Sequence, residues 1–326
     1  MAQILNLEEI KKYVDADELI KAIETGFSIY SSGKVVVPPV GFLNFDQPPA
    51  DVHIKYGYIT DDDYYVIKIA SGFYDNPQIG LPMADGLVLV FSQKTGQLKK
   101  ILIDECWLTE MRTAAAGAVA AKHLAPKKVS AIGIVGTGSQ ARYQLELHRT
   151  VVDCKTCYVW GRNKDKVDAM IADLNSRKSI QEWGIDIKAA KDMDELTSNC
   201  NLIVTTTSAR GPIIWADQVQ KGTHITAMGS DDHGKYELDP ALLAKADIVV
   251  ADSLSQCIDH GECCPAVKEG LISESSIIEL GTLINDPSLG RLNDEQITIA
   301  DQTGVAIHDI QIAKMVDKAY EKGNEK

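Results

Sequence analysis

The stretch Ala131-Ile132-Gly133-Ile134-Val135-Gly136-Thr137-Gly138-Ser139-Gln140-Ala141 decides the fold. Its opening apolar run suits a strand buried on both faces, and residues 143–150 continue it as a helix. Between strand and helix, Gly136 permits the tight turn, Gly138 lets a pyrophosphate approach the backbone, and Ala141 permits close packing of helix on sheet. Amides exposed at the helix start then meet phosphate. Outward from this turn, short apolar runs recur at 129–135, 156–160, 185–189, 202–206, 224–228 and 248–251, with a further possible strand at 296–300. Stretches able to hold helices or crossover loops separate them, as in a parallel sheet covered on both faces. The expectation is an α/β chain whose residues 126–304 form a Rossmann-type, doubly wound dinucleotide-binding domain.

Some 130 residues precede that turn, enough for a domain of their own. A helix is expected over 15–30, with Leu19, Ile20, Ile23 and Phe27 spaced to bury one side. Strand runs at 52–59, 64–69, 86–92 and 98–104 are joined by short turns at 61–63 and 94–96, which implies a largely antiparallel sheet. An alanine-rich helix over 109–124 closes the segment. A last helix from 307 to about 320 is expected to return to it, so that residues 1–125 with 305–326 make a separate α+β domain.

The chain carries 46 acidic against 33 basic residues, a net charge of −13, which argues against nucleic acid or an anionic membrane as partner. It contains no uninterrupted 18-residue apolar run, and its acidic opening has no targeting pattern. Seven cysteines in a chain of 326 residues favour a reducing cytoplasm. Cys154 and Cys157 have the spacing of half a zinc site, but no matching pair follows, so no metal is expected.

The end of the second strand governs cofactor choice. There Tyr158-Val159-Trp160-Gly161-Arg162-Asn163-Lys164 offers no carboxylate for a ribose hydroxyl, whereas Arg162 and Lys164 suit a 2′-phosphate. NAD(P)H is expected, leaning to NADP; Asp165 serves NAD if the loop folds back, and Arg162 is otherwise an ordinary exposed residue. For the substrate, Lys68 lies in an apolar strand in phase with Val66 and Ala70, so its ammonium must be solvated, paired or bound to a ligand. Arg112, near a helix start, can grip a carboxylate through two parallel hydrogen bonds or pair with Asp104, Glu105 or Glu110. Asp231 or Asp232 follows the fifth parallel strand, where a doubly wound sheet binds ligands, and can stabilise an iminium or simply satisfy loop amides. His233 is either a proton shuttle or a turn histidine.

Taken together these motifs resemble the ornithine cyclodeaminase/mu-crystallin family. The likeness rests on Lys68-Ile69-Ala70, Gly80-Leu81-Pro82, Leu108-Thr109-x-x-Arg112-Thr113-Ala114, the Gly136–Ala141 turn, Gly229-Ser230-Asp231, Gly234-Lys235-x-Glu237-Leu238 and Asp301-Gln302-Thr303-Gly304. It implies a homodimer formed through the first domain, with Lys68 and Arg112 holding the carboxylate of a small anionic imino or amino acid and Asp231 beside its nitrogen. It also places Thr113, Gly136, Thr137, Gly138, Ser139, Gln140, Ala141, Arg162, Ser230 and Asp301 around the cofactor.

The chain departs from the cyclodeaminase pattern at Val37-Pro38-Pro39-Val40-Gly41, where an apolar residue stands in place of a third carboxylate-binding arginine. The threonine often found after Gly-Leu is displaced toward Pro82-Met83. Residues 51–57 and 71–77 instead resemble members linked to ectoine breakdown and iminosuccinate reduction, with His53 and Lys55 available for a distal carboxylate. The resemblance therefore implies an imino-acid reductase, with iminosuccinate the leading substrate. Ornithine cyclodeaminase, alanine dehydrogenase-type oxidation and non-enzymatic small-ligand binding are the alternatives.

Overall fold

The computed structural model describes residues 2–324, which divide into two units: the chain up to Arg112 together with the segment from Val305, and Thr113–Gly304. In the first unit the strands are β1 (Gln3–Leu5), β2 (Val35–Val36), β3 (Gly41–Phe45), β4 (Ala50–Ile59), β5 (Tyr64–Phe73), β6 (Ala84–Ser92) and β7 (Leu98–Ile103). They lie in the order β1-β7-β6-β5-β4-β2, with β3 also paired to β4. The strands from β4 to β7 run antiparallel to their neighbours, as the short turns require. Asp61 and Gly96 supply the left-handed residues at two of those turns, with φ of 63° and 68°. The edge strand β1, absent from the sequence reading, is only three residues long and joins β7 in parallel.

The helix Ala16–Ser31 starts where the Asp15 carboxylate accepts the amides of Asp17 and Glu18, and it buries Leu19, Ile20, Ile23 and Phe27. The returning helix Ala306–Asn324 packs on it and on β4 and β5. Alternation along β5 turns Tyr64, Val66 and Lys68 into the core. Lys55 of β4 stands directly opposite Lys68. Directly opposed residues share a sheet face, so two lysines point the same way into the buried side.

In the second unit β8 (Ile132–Val135), β9 (Thr156–Trp160), β10 (Asp186–Ala189), β11 (Leu202–Thr205), β12 (Arg210–Ile214), β13 (His224–Ala227), β14 (Tyr236–Leu238), β15 (Ile248–Ala251), β16 (Ile277–Glu279) and β17 (Thr298–Asp301) follow in sequence. Eight of them form one parallel sheet, in the order β10-β9-β8-β11-β13-β17-β15-β16, while β12 and β14 pair separately. The first five strands of that sheet have the doubly wound order, and β17 enters between β13 and β15. Two apolar layers cover the sheet: Ile132, Ile134 and Val204 face Leu145 and Met170, whereas Val135, Ile203 and Ile225 face Leu196 and Leu242.

The division falls inside the helix Trp107–Leu124, after Arg112, whereas the sequence reading assigns that helix wholly to the first domain. Its later turns are tied to the second unit by named bonds. The Gln144 side-chain amide donates to the Thr113 carbonyl and that of Gln302 to the Ala116 carbonyl, each at 3.2 Å. Among the described residues no helix is long and apolar enough to cross a membrane, and all seven cysteines are free and buried.

Candidate functional site

The first unit concentrates charge where charge is expensive. Lys68, Arg112 and Lys55 are all buried. Lys68 Nζ lies 3.5 Å and Arg112 Nε 3.1 Å from the same oxygen, Asp309 Oδ1. Burial alone would raise the Asp309 carboxyl, but Arg112, then Lys68 and Lys55, outweigh it and hold the group below the usual carboxylate range. Burial lowers the Lys68 ammonium, opposed chiefly by Asp309. Two lysines facing each other across a strand pair repel, and the carboxylate above them is what makes the arrangement tenable.

Asp309 was not among the residues expected from sequence. It sits in the first turn of the returning helix, beside His308, whose two ring nitrogens find no hydrogen-bond partner among the described residues. Burial, then the nearby Arg112, pushes that imidazole down to about 3, so it is neutral and adds no cation. Asp309 Oδ2 likewise has no hydrogen-bond partner among the described residues. Asp104, pushed up to about 6 chiefly by burial, accepts the Leu108 amide at 2.9 Å and lies within electrostatic reach of Lys68. Arg112, Lys68 and Lys55 thus act together on the one Asp309 carboxylate. His53 shares the face of Lys55 on β4, with Nε2 3.6 Å from Asp51 Oδ1 and its ring edge-on to Phe42.

In the second unit the glycine turn has the geometry its sequence implies. Gly136 has φ +127°, its amide donates to the Trp160 carbonyl at 2.9 Å, and a Cβ there would meet Thr206 Oγ1 at 2.4 Å. Gly138 stands at the N-cap of the helix Ser139–His148, and a Cβ built on it would meet nothing within 4 Å. A helix start with open space before it suits an anion. Arg142 braces the turn by donating to the Thr137 and Gly138 carbonyls, Gln140 accepts from Gln144, and Ala141 is fully buried. Arg162 and Lys164 are exposed beyond β9, where Asn163 caps the next helix.

Asp231 lies on the turn after β13, half exposed, with Lys235 Nζ 2.7 Å from its Oδ1. Ser230, fully buried, donates to the Lys235 carbonyl. Behind the turn stands Glu237, which the sequence reading quoted only within a motif. Its carboxylate accepts from Thr205 Oγ1 at 2.6 Å, the Thr207 amide at 2.7 Å and the Gly229 amide at 3.0 Å. Gly229 is obligatory there, since a Cβ would lie 1.9 Å from the Thr207 carbonyl oxygen. Asp301 is wholly buried at the end of β17; its Oδ2 accepts the Cys263 amide at 2.9 Å, and burial pushes it up to about 7. The structure thus gathers Lys55, Lys68 and Arg112 around one carboxylate and sets Asp231 on a separate turn of the second unit.

Fold and residues define a two-unit, nicotinamide-dependent oxidoreductase. The chain matches the ornithine cyclodeaminase/mu-crystallin family over residues 1–324. It is 32% identical to the iminosuccinate reductase of Paracoccus denitrificans over 97% of this chain and 96% of that one. The solved structure of that enzyme in complex with NAD+ superposes with a TM-score of 0.89 at 30% identity, covering 99% and 97% of the two chains. An archaeal alanine dehydrogenase dimer with bound NAD gives a TM-score of 0.89 at 34% identity, covering 99% and 97%. The Δ1-pyrroline-2-carboxylate reductase of Thermococcus litoralis, in complex with NADH and L-proline, gives 0.90 at 28% identity, covering 98% of each chain. The chain belongs to the ornithine cyclodeaminase/mu-crystallin family, and it is an enzyme of the imino- and amino-acid reductase and dehydrogenase kind.

Proposed function

We propose that the protein reduces a small imino acid to an L-amino acid with NAD(P)H, and that iminosuccinate, giving L-aspartate, is its substrate. The observation that carries this reading is the convergence of three buried cationic side chains, Arg112, Lys68 and Lys55, on Asp309. A buried site rich in cationic groups favours an anionic ligand over a cationic one. A monocarboxylic iminium is a zwitterion of zero net charge, whereas the iminium of iminosuccinate carries one net negative charge. Lys68 and Arg112 then hold the carboxylate next to the reacting carbon, and Lys55, across the ladder from Lys68, takes the distal one with His53 beside it.

The nucleotide, when bound, supplies the hydride. The Gly136–Ala141 turn holds its phosphates through backbone amides, with Ser230 and Asp301 beside the surrounding strand ends, Thr113 on the helix Trp107–Leu124, and Arg162 favouring a 2′-phosphate. Asp231 stabilises the protonated nitrogen. Hydride adds to the carbon of the protonated imine, the C=N π pair passes to nitrogen, and the nitrogen keeps its proton and remains on the product as the amine. The same reading makes the protein a homodimer, supported by the apolar side chains that its first unit exposes, Phe42, Leu43, Phe45, Tyr56 and Tyr58 among them.

Ornithine carries a distal ammonium, which Lys55 disfavours, and residues 37–41 lack the carboxylate-binding arginine of the cyclodeaminase pattern. Lys55→Ala tests the assignment. It should lower kcat/KM for oxaloacetate plus ammonia about tenfold while changing pyruvate plus ammonia less than about threefold. Equal losses on both would remove Lys55 as the distal selector.

A further inference from the structure

The second unit brings together a set of ligating groups that the reduction does not use. His233, on the turn after β13, points its Nε2 to within 3.5 Å of Asp259 Oδ2, and His260 Nδ1 lies 3.1 Å from the same oxygen. The three ligand atoms lie within 4.8 Å of one another. A tetrahedral zinc with N and O bonds of about 2.0–2.1 Å needs ligand-to-ligand edges of about 3.3 Å. Two edges of the triangle already straddle that length. The third, between the two imidazoles, closes by rotation of the His233 ring, which is 67% exposed and so free to turn. Two imidazoles and one carboxylate are the donor set of a borderline divalent metal such as zinc, not of calcium or magnesium, which take oxygen ligands.

We propose that His233, Asp259 and His260 form a zinc(II) site with one position left to water, and that the metal ties the turn carrying Asp231 to the end of the helix Leu254–His260. The Ser230 hydroxyl reaches the His260 carbonyl at 3.4 Å, and the His233 and His260 rings meet edge-on. Gly234, with φ +76°, provides the bend that returns the turn to β14. A metal bridging His233 to Asp259 and His260 would add coordinate bonds between these segments two residues from Asp231.

The test is calorimetric titration of the full chain with Zn2+ in chelator-stripped buffer, alongside amide hydrogen exchange over residues 230–235. The expected result is one equivalent bound, affinity lower by about tenfold or more in both His233→Ala and His260→Ala, and slowed exchange of the turn on zinc addition. The double variant His233→Ala/His260→Ala retains all seven buried cysteines and serves as the thiol control. Its unchanged unfolding temperature without metal would show that the fold is intact. Wild-type protein that takes up no zinc, zinc retained by the double variant, or binding without protection of the turn would each overturn the proposal.

Discussion

On the proposed function, the cation cluster of the first unit and the glycine turn of the second would bind an anion in opposite ways. Around Asp309 the protein buries formal charges, Lys68 at 3.5 Å and Arg112 at 3.1 Å, and depends on side chains that no substitution replaces cheaply. At Gly136 and Gly138 it uses no formal charge and depends on backbone amides and an absent Cβ. The first is sensitive to charge and the second to shape, so substitutions in each should fail in separable ways.

Arg112→Ala is expected to do the greatest damage. Removing the guanidinium leaves Asp309 short of its nearest partner and should lower kcat/KM about 10²- to 10³-fold. The dissociation constant of the nucleotide, measured by fluorescence titration, should change less than about twofold. Equal activity would remove Arg112 from the substrate clamp.

Acid comes next, and it tests the buried histidines of both units. Burial holds His148 down at about 4 and His224 at about 3 in the second unit, and His308 at about 3 in the first. A depressed folded value means that the stabilisation is fully present above the ordinary value of about 6.5 and is lost as pH falls toward the folded values. Between pH 7 and pH 5 each histidine contributes a loss of roughly 2 kcal/mol by that linkage, while Asp301, pushed up to about 7, and Asp104, to about 6, gain stability as they take up protons over the same range. An NMR titration of the imidazoles isolates the histidines: all three should remain predominantly neutral at pH 5, and protonation of any of them above that pH would contradict the neutral, buried assignment.

Asp309→Asn keeps the shape and removes the counter-charge. With the cations no longer aligned, KM for the imino acid should rise about tenfold, with kcat less affected and the nucleotide constant unchanged. Asp309→Glu should recover part of the loss, which a merely structural defect would not show. Gly136→Ala should give the smallest effect and the reverse pattern. A side chain at φ +127° against Thr206 should weaken nucleotide binding about five- to tenfold and leave the KM of the imino acid within about twofold at saturating nucleotide.

Much of the second unit was legible because parallel strands buried on both faces announce themselves as short apolar runs, and each run named from sequence corresponds to a strand. The strand β16, three residues of Ile277-Ile278-Glu279, and the small β12–β14 pair were not, since such short pieces carry no period. Lys68 stood out as a charge within an apolar strand. Asp309 did not, because an aspartate in the first turn of a helix reads as ordinary dipole compensation. Its signal was the apolar company of Val305, Ile307 and Ile310, all buried beside it. Glu237 was hidden for a similar reason: its three acceptor bonds go to Thr205, Thr207 and Gly229, which only the folded sheet brings to it.

The central claim is the reaction itself, and product analysis tests it directly. Purified protein is given NADH or NADPH with oxaloacetate and ammonium, and in parallel with pyruvate and ammonium, Δ1-pyrroline-2-carboxylate and L-ornithine. The account predicts nucleotide oxidation that requires ammonium, with L-aspartate accumulating in equal amount and the oxaloacetate mixture giving the highest kcat/KM. Ammonia release and proline formation from ornithine as the main activity, or binding of nucleotide without turnover in any mixture, would contradict it.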